Sequence, residues 1–136
     1  PYKAQIDWGF RSMTLSLSYT KKLSGYDVLP AANQAKKIAA ANMPAEELQT
    51  VSLEKEGIVY GPLTYQKYTG TFAGQAVDIE VWPIPHTAEY ITELSFKAPT
   101  YNEAAQKRKK IQQLLEAHQI IKAEDSLKTT KILNAH

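Results

Sequence analysis

The sequence predicts an α+β domain: a single twisted antiparallel sheet of about four or five strands with two helices packed on one face, a two-layer arrangement in the order β-α-β-β-β-β-α. Three observations carry this. Several stretches alternate apolar and polar residues with a period of two, the pattern of half-buried strands. Two stretches bounded by proline show helical spacing. A hairpin around Ala73-Gly74 matches its two arms in only one register.

The first alternating stretch is residues 8–19, WGFRSMTLSLSY, where Met13, Leu15, Leu17 and Tyr19 share a face and Ser12, Thr14, Ser16 and Ser18 share the other. It reads as one strand with one wet face. Pro30 then suits the first position of a helix, where its missing N–H costs nothing. In AANQAKKIAAAN, Ala31, Ala35, Ile38 and Ala39 form a small-residue stripe, and Pro44 stops the helix near Asn42. Such a stripe brings little burial of its own and depends on docking. From Leu48 to Leu53, Val51 and Leu53 alternate with Thr50 and Ser52, giving a second strand; EKEG turns into IVYG, the start of a third, kinked or broken at Gly61-Pro62.

The hairpin is the most constrained element. A two-residue turn at Ala73-Gly74 pairs Phe72 with Gln75, Gly70 with Val77, Tyr68 with Ile79 and Gln66 with Val81, so the apolar side chains share one face. The opposite face then pairs Lys67 with Glu80, Thr69 with Asp78 and Tyr65 with Trp82, an ion pair and an aromatic pair. Trp82 therefore lies on the outer face, and the prolines of PIPH end the strand. Residues 88–97 alternate again, with Tyr90, Leu94 and Phe96 inward and Glu89, Ile91, Glu93 and Lys97 outward. Returning beside the previous strand, they would set Glu89 opposite Trp82, Ile91 opposite Glu80, and Glu93 opposite Asp78, a like-charge pair.

The strongest helix signal is APTYNEAAQKRKKIQQLLEAHQII, with Thr100 or Asn102 as cap, Glu103 at the positive end of the dipole, and Ala104, Ile111, Leu114, Leu115, His118 and Ile121 as its buried stripe. Residues 1–136 read as a single domain in which 123–136 are polar enough to fray, with Leu127, Ile132 and Leu133 as anchors. In layout alone this order resembles small two-layer domains of the PsbP type, and no motif in these residues carries a family identification.

Composition excludes several classes. Sixteen basic and fourteen acidic side chains leave +2, too weak a field to draw in nucleic acid or an anionic membrane. The absence of cysteine removes disulfides, thiolate metal sites and cysteine nucleophiles together. No apolar run is long enough for a transmembrane segment. The chain begins at Pro1, and the reading leans to an exported protein, periplasmic or lipid-anchored.

Three chemistries compete on the outer sheet face. Asp78, Glu80, Glu89 and Glu93 share it by alternation; Asp78, Glu80 and Glu93 would serve a hard cation or divide acid and base roles, but an open sheet face lacks the burial that perturbs carboxylates. Lys107, Arg108, Lys109 and Lys110 would meet phosphate, yet four consecutive helical residues spread around the circumference and the aromatic face is acidic. His86, His118 and His136 share no metal-ligand spacing, and neither a G-x-S-x-G nor a glycine-rich phosphate loop is present. What remains is an aromatic patch with polar flanks: Tyr65, Lys67, Glu80, Trp82, Glu89 and Ile91. It points to a non-enzymatic binding or accessory domain without a cofactor, holding a protein or a small-molecule ligand, unless a terminal segment folds over it. No residue pattern sets an oligomeric state.

Overall fold

A computed structural model of the chain describes residues 2–25, 29–50, 57–125 and 127–135. The fold is α+β, with β1 (Tyr2–Trp8), β2 (Met13–Tyr19), α1 (Ala32–Asn42), α2 (Ala45–Thr50), β3 (Gln66–Phe72), β4 (Gln75–Pro83), β5 (Tyr90–Ser95), α3 (Tyr101–Ala117) and α4 (Lys128–Ala135). Among the described residues the expected single sheet with two helices is instead two antiparallel sheets, β1-β2 and β3-β4-β5, with four helices, and the tail expected to fray over 123–136 carries α4. Chain contacts divide the molecule into a first unit, Pro1–Trp8 with Met13–Leu63, and a second, Gly9–Ser12 with Thr64–His136. No described helix is long and apolar enough to cross a membrane.

In the first unit, the run read as one strand over 8–19 folds back on itself. Gly9 N–H bonds the Ser12 carbonyl at 2.9 Å, and the chain on either side pairs Trp8 with Met13, Ile6 with Leu15, Ala4 with Leu17 and Tyr2 with Tyr19. These partners share a face, as the 5.3 Å contact of the Tyr2 and Tyr19 rings shows. The other face is polar, with Gln5 and Ser16 both donating to the Asp7 carboxylate. Alternation is thus as expected, but the apolar face is open rather than inward: Leu15 is 75% exposed and Leu17 67%. A ribbon of two strands has no third layer against which to bury that face.

Helix α1 follows Pro30, which stands before the N-cap Ala31 rather than inside the first turn. Its half-buried residues include Ala35, Ile38 and Ala39, and none is fully buried. The expected strand from Leu48 is contradicted in its first part, because Ala45–Thr50 is helical; Val51 and Leu53 lie outside the described residues. The cause is local: the Pro44 carbonyl accepts from Leu48 N–H at 3.0 Å, and Glu46 and Glu47 sit in the first turn, where the helix dipole favours carboxylates. Residues 58–61 are not a strand either, and β3 begins at Gln66; the Gly61-Pro62 peptide is cis.

In the second unit the hairpin register is the one that its pattern requires: Phe72↔Gln75, Gly70↔Val77, Tyr68↔Ile79, Gln66↔Val81, Lys67↔Glu80 and Thr69↔Asp78. Ala73 and Gly74 both take positive φ, 54° and 71°, the geometry of a turn whose twist matches the strands it joins. Strand β5 returns beside β4 with the faces expected but two residues along, setting Ile91 opposite Trp82, Glu93 opposite Glu80, and Ser95 opposite Asp78. A shift of two keeps every side chain on its face, so alternation does not distinguish the two registers.

Thr100 caps α3, accepting from Glu103 N–H at 3.3 Å. Gln119 at φ 56° ends the helix, its N–H bonded to the Glu116 carbonyl and that of Ile120 to Leu115, both at 3.0 Å. His118, expected on the buried stripe, is exposed at the C-cap, and Leu114 is exposed too. Among the described residues Val77, Ile111 and Ile132 are buried. Each such side chain contributes about 1.5–3 kcal/mol of transfer free energy. The segment Gly9–Ser12 is held in this unit from two sides: Asp125 accepts from the N–H groups of Phe10 and Arg11, and the Arg108 guanidinium donates to the carbonyls of Gly9 and Phe10. Gly9 suits that approach, since a Cβ there would run into the Asp125 carboxylate.

Candidate binding site

The outer face of β3-β4-β5 is laid out in rows by its two registers. Trp82 and Ile91 are direct partners, and Tyr65, the residue before β3, completes their row by stacking on the indole with ring centroids 3.9 Å apart and planes 6° from parallel. The next row is Lys67, Glu80 and Glu93, and the third is Thr69, Asp78 and Ser95. Five of the six residues expected in the binding patch, Tyr65, Lys67, Glu80, Trp82 and Ile91, therefore stand together. Glu89 does not: the two-residue shift leaves it in the turn before β5, where its N–H bonds Thr87 Oγ1.

The residue that organises this face was not legible as a site residue. Lys128, at the start of α4, places its ammonium 2.6 Å from Glu80 Oε2, 3.4 Å from Glu93 Oε1 and 4.7 Å from the Trp82 ring centroid. The indole thus meets both the Tyr65 ring and the ammonium. The Glu80–Glu93 like-charge pair created by the observed register is thereby bridged by one cation. Trp82 Nε1–H also donates to Glu80 Oε2, at 2.9 Å. The hydrogen bond from Lys128, then that from the indole, hold the Glu80 carboxyl below the usual carboxylate range against a smaller opposing effect of desolvation. Burial pulls Lys128 down, but its bonds to Glu80 and the charge of Glu93 outweigh it and raise the ammonium pKa.

The expected Lys67–Glu80 ion pair is replaced by a diagonal one, Lys67 Nζ to Asp78 Oδ2 at 3.5 Å, because Lys128 already occupies Glu80. Asp78, Glu80 and Glu93, the candidate cation ligands, thus each face an ammonium group, and among the described residues no cluster of three or more His, Asp or Glu is placed to hold a metal. The basic run on α3 is divided in the same way: Arg108 turns to the Gly9 and Phe10 carbonyls while Lys109 and Lys110 stay exposed. His86 sits in the exposed turn after β4 at φ 62°, and His136 lies outside the described residues.

The segment expected to decide whether the face is covered does so in part. α4 reaches Trp82 and Glu80 through Lys128, and the indole is half-buried, while Tyr65 remains 41% exposed. Beyond Ile91 and Glu93 the same face runs into a cleft of about 400 Å³ along β5. Ile91, Leu94, Phe96, Ile111, Leu115 and Ile121 give it apolar walls, and Arg108, Gln112, Lys122 and Lys131 stand among its polar groups. Glu124 links the two lysines, 2.9 Å from Lys122 and 3.5 Å from Lys131. The lining thus mixes apolar walls with six charged side chains, Glu93, Arg108, Lys122, Glu124, Asp125 and Lys131. Sequence reasoning missed the cleft because its walls come from β5, α3 and the segment after α3, which only the tertiary fold brings together. No protein-family model, curated protein or solved structure matches the chain, so any reading of function rests on this geometry.

Proposed function

We propose that the chain is a non-enzymatic binding or accessory domain, and that its ligand surface is the cleft along β5, continuous with the Tyr65–Trp82–Ile91 row. The observation that supports this most is the cleft itself: about 400 Å³, built on a strand and a helix rather than on loops alone, with Ile91, Leu94, Ile111 and Leu115 in its walls. The polar groups nearby favour binding over catalysis. Glu80 and Glu93 are tied to Lys128, Asp78 to Lys67, and Asp125 to backbone N–H groups, so each of these carboxylates has a structural partner. Trp82 acts as the support of this surface, and Tyr65 as its exposed ring.

The test is a methyl-detected NMR titration with indole and cyclohexanol as apolar probes. Shifts concentrated on Ile91, Leu94, Ile111 and Leu115, and lost on Leu94→Asp, are the expected result. Probes that shift only residues elsewhere, or none at all, refute the cleft as the ligand surface.

A further inference from the structure

We infer that the cleft takes an extended peptide segment, added to β5 as a fourth strand of the β3-β4-β5 sheet; this rests on the cleft being the ligand surface and names the class of ligand. The inference follows from where the backbone of β5 directs its polar groups. In an antiparallel pair, residues alternate between exchanging both ladder hydrogen bonds with their partner and turning both groups away. Two separate observations fix that alternation here.

Ile84 N–H bonds the Glu89 carbonyl at 2.9 Å, so at steps of two from it Trp82/Ile91, Glu80/Glu93 and Asp78/Ser95 are the hydrogen-bonded pairs. The two-residue turn at Ala73-Gly74 makes Phe72/Gln75 a hydrogen-bonded pair of β3 and β4, which directs Gln75, Val77, Ile79 and Val81 to β3 and again leaves Asp78, Glu80 and Trp82 for β5. Pro83 agrees with both, since its ring nitrogen points to the β3 side, where the ladder stops at Gln66↔Val81.

Tyr90, Thr92 and Leu94 therefore turn their N–H and carbonyl groups away from β4. All three residues line the cleft, and no hydrogen bond from a described residue reaches their backbone. Among the described strands β5 is an edge of its sheet, without proline or bulge, and its one charged residue, Glu93, is held by Lys128; such an edge can recruit another strand. The cleft walls suit such a guest: Ile91 and Glu93 stand on one face of β5 and Leu94 on the other, so alternate side chains of an added strand meet separate walls. The ligand class is accordingly a short segment with free N–H groups at every second position and alternating side chains, matching the 6 residues of β5.

The probe is the peptide acetyl-Val-Thr-Val-Thr-Val-Thr-amide and its counterpart N-methylated at all six residues, each titrated against the intact chain. The unmodified peptide is expected to slow hydrogen exchange at the Thr92 and Leu94 amides, and N-methylation to weaken binding about tenfold or more, the effect of lost backbone hydrogen bonds and added bulk. Thr92→Pro removes an N–H that β4 does not use, so the β4-β5 ladder survives, as an edge strand tolerates; it should weaken peptide binding by a similar factor. Should that variant fail to fold, the N-methylated peptide on the unaltered chain decides alone. Equal binding of both peptides overturns strand addition while leaving the cleft as a ligand surface. The same holds if indole shifts Ile91 and Leu94 but neither peptide does. Failure of indole and peptides together removes both readings.

Discussion

Replacing Lys128 with methionine tests how the outer face is held. The variant keeps most of the apolar stem and deletes the ammonium that bonds Glu80 at 2.6 Å and Glu93 at 3.4 Å and sits 4.7 Å over the indole. The Lys128 and Glu80 side chains are 20% and 19% exposed, so solvent screens their bond little, and a hydrogen bond between charged groups there contributes about 1.5–3 kcal/mol. Glu93 is 43% exposed and adds only a few tenths of a kcal/mol. The cation–π contact contributes about 0.5–1 kcal/mol, and the net is reduced by desolvation that the ammonium no longer suffers. The expected loss is about 2 kcal/mol at neutral pH, read by urea unfolding with Trp82 fluorescence in a Trp8→Phe background.

Its pH dependence has a defined sign. Glu80 is depressed by the Lys128 bond, so the stabilisation is present above the unfolded carboxylate pKa and is lost as pH falls through the folded one. Lys128 is raised, so its share is present below the unfolded lysine pKa and is lost as pH rises through the folded one. The gap between wild type and Lys128→Met should therefore be widest from about pH 5 to 10 and close below about pH 4. A gap under about 0.5 kcal/mol at neutral pH, or one unchanged at pH 3, refutes the account of this cluster.

Three further outcomes follow from burial and contact. Ile132→Ala in α4, a site 4% exposed, should cost about 2–4 kcal/mol in urea unfolding, and a cost near zero would mean that α4 is not docked. Leu15→Ser, on the open face of the β1-β2 ribbon, should change stability by no more than about 0.5 kcal/mol despite removing a large apolar side chain, and a large loss would show that this face is covered. Gly9→Ala should lower the melting temperature while Asp125 is present and have almost no effect in an Asp125→Ala background, because the clash is with that carboxylate; additive losses would contradict this.

The hairpin was legible because face and turn constrain the same register: only a two-residue loop puts Val77, Ile79 and Val81 with Tyr68 and Phe72, and Tyr65 with Trp82. The position of β5 along β4 was not, because a slide of two residues leaves each face unchanged, and the choice between Glu89 and Ile91 as the partner of Trp82 rests on the turn over 84–89. The apolar residues change from even positions (Ile6, Trp8) to odd ones (Met13, Leu15) across Gly9–Ser12, a mark of the reversal that a single strand over 8–19 overlooks. At Pro44, Glu46 and Glu47 the helix signals were present but were outweighed by the alternation of Thr50 to Leu53. Lys128 lay in a stretch with little periodicity, 48 residues from the carboxylate it bonds, and nothing local announces such a partner.

The central claim is that β5 spends its inward-directed backbone groups on β4 and offers the remainder to the cleft. Residue-resolved amide hydrogen exchange of the unliganded chain measures this directly. Slow exchange at Ile91 and Glu93 with fast exchange at Thr92 and Leu94 is the predicted result; protection at Thr92 and Leu94, or uniform protection along Tyr90–Ser95, contradicts it.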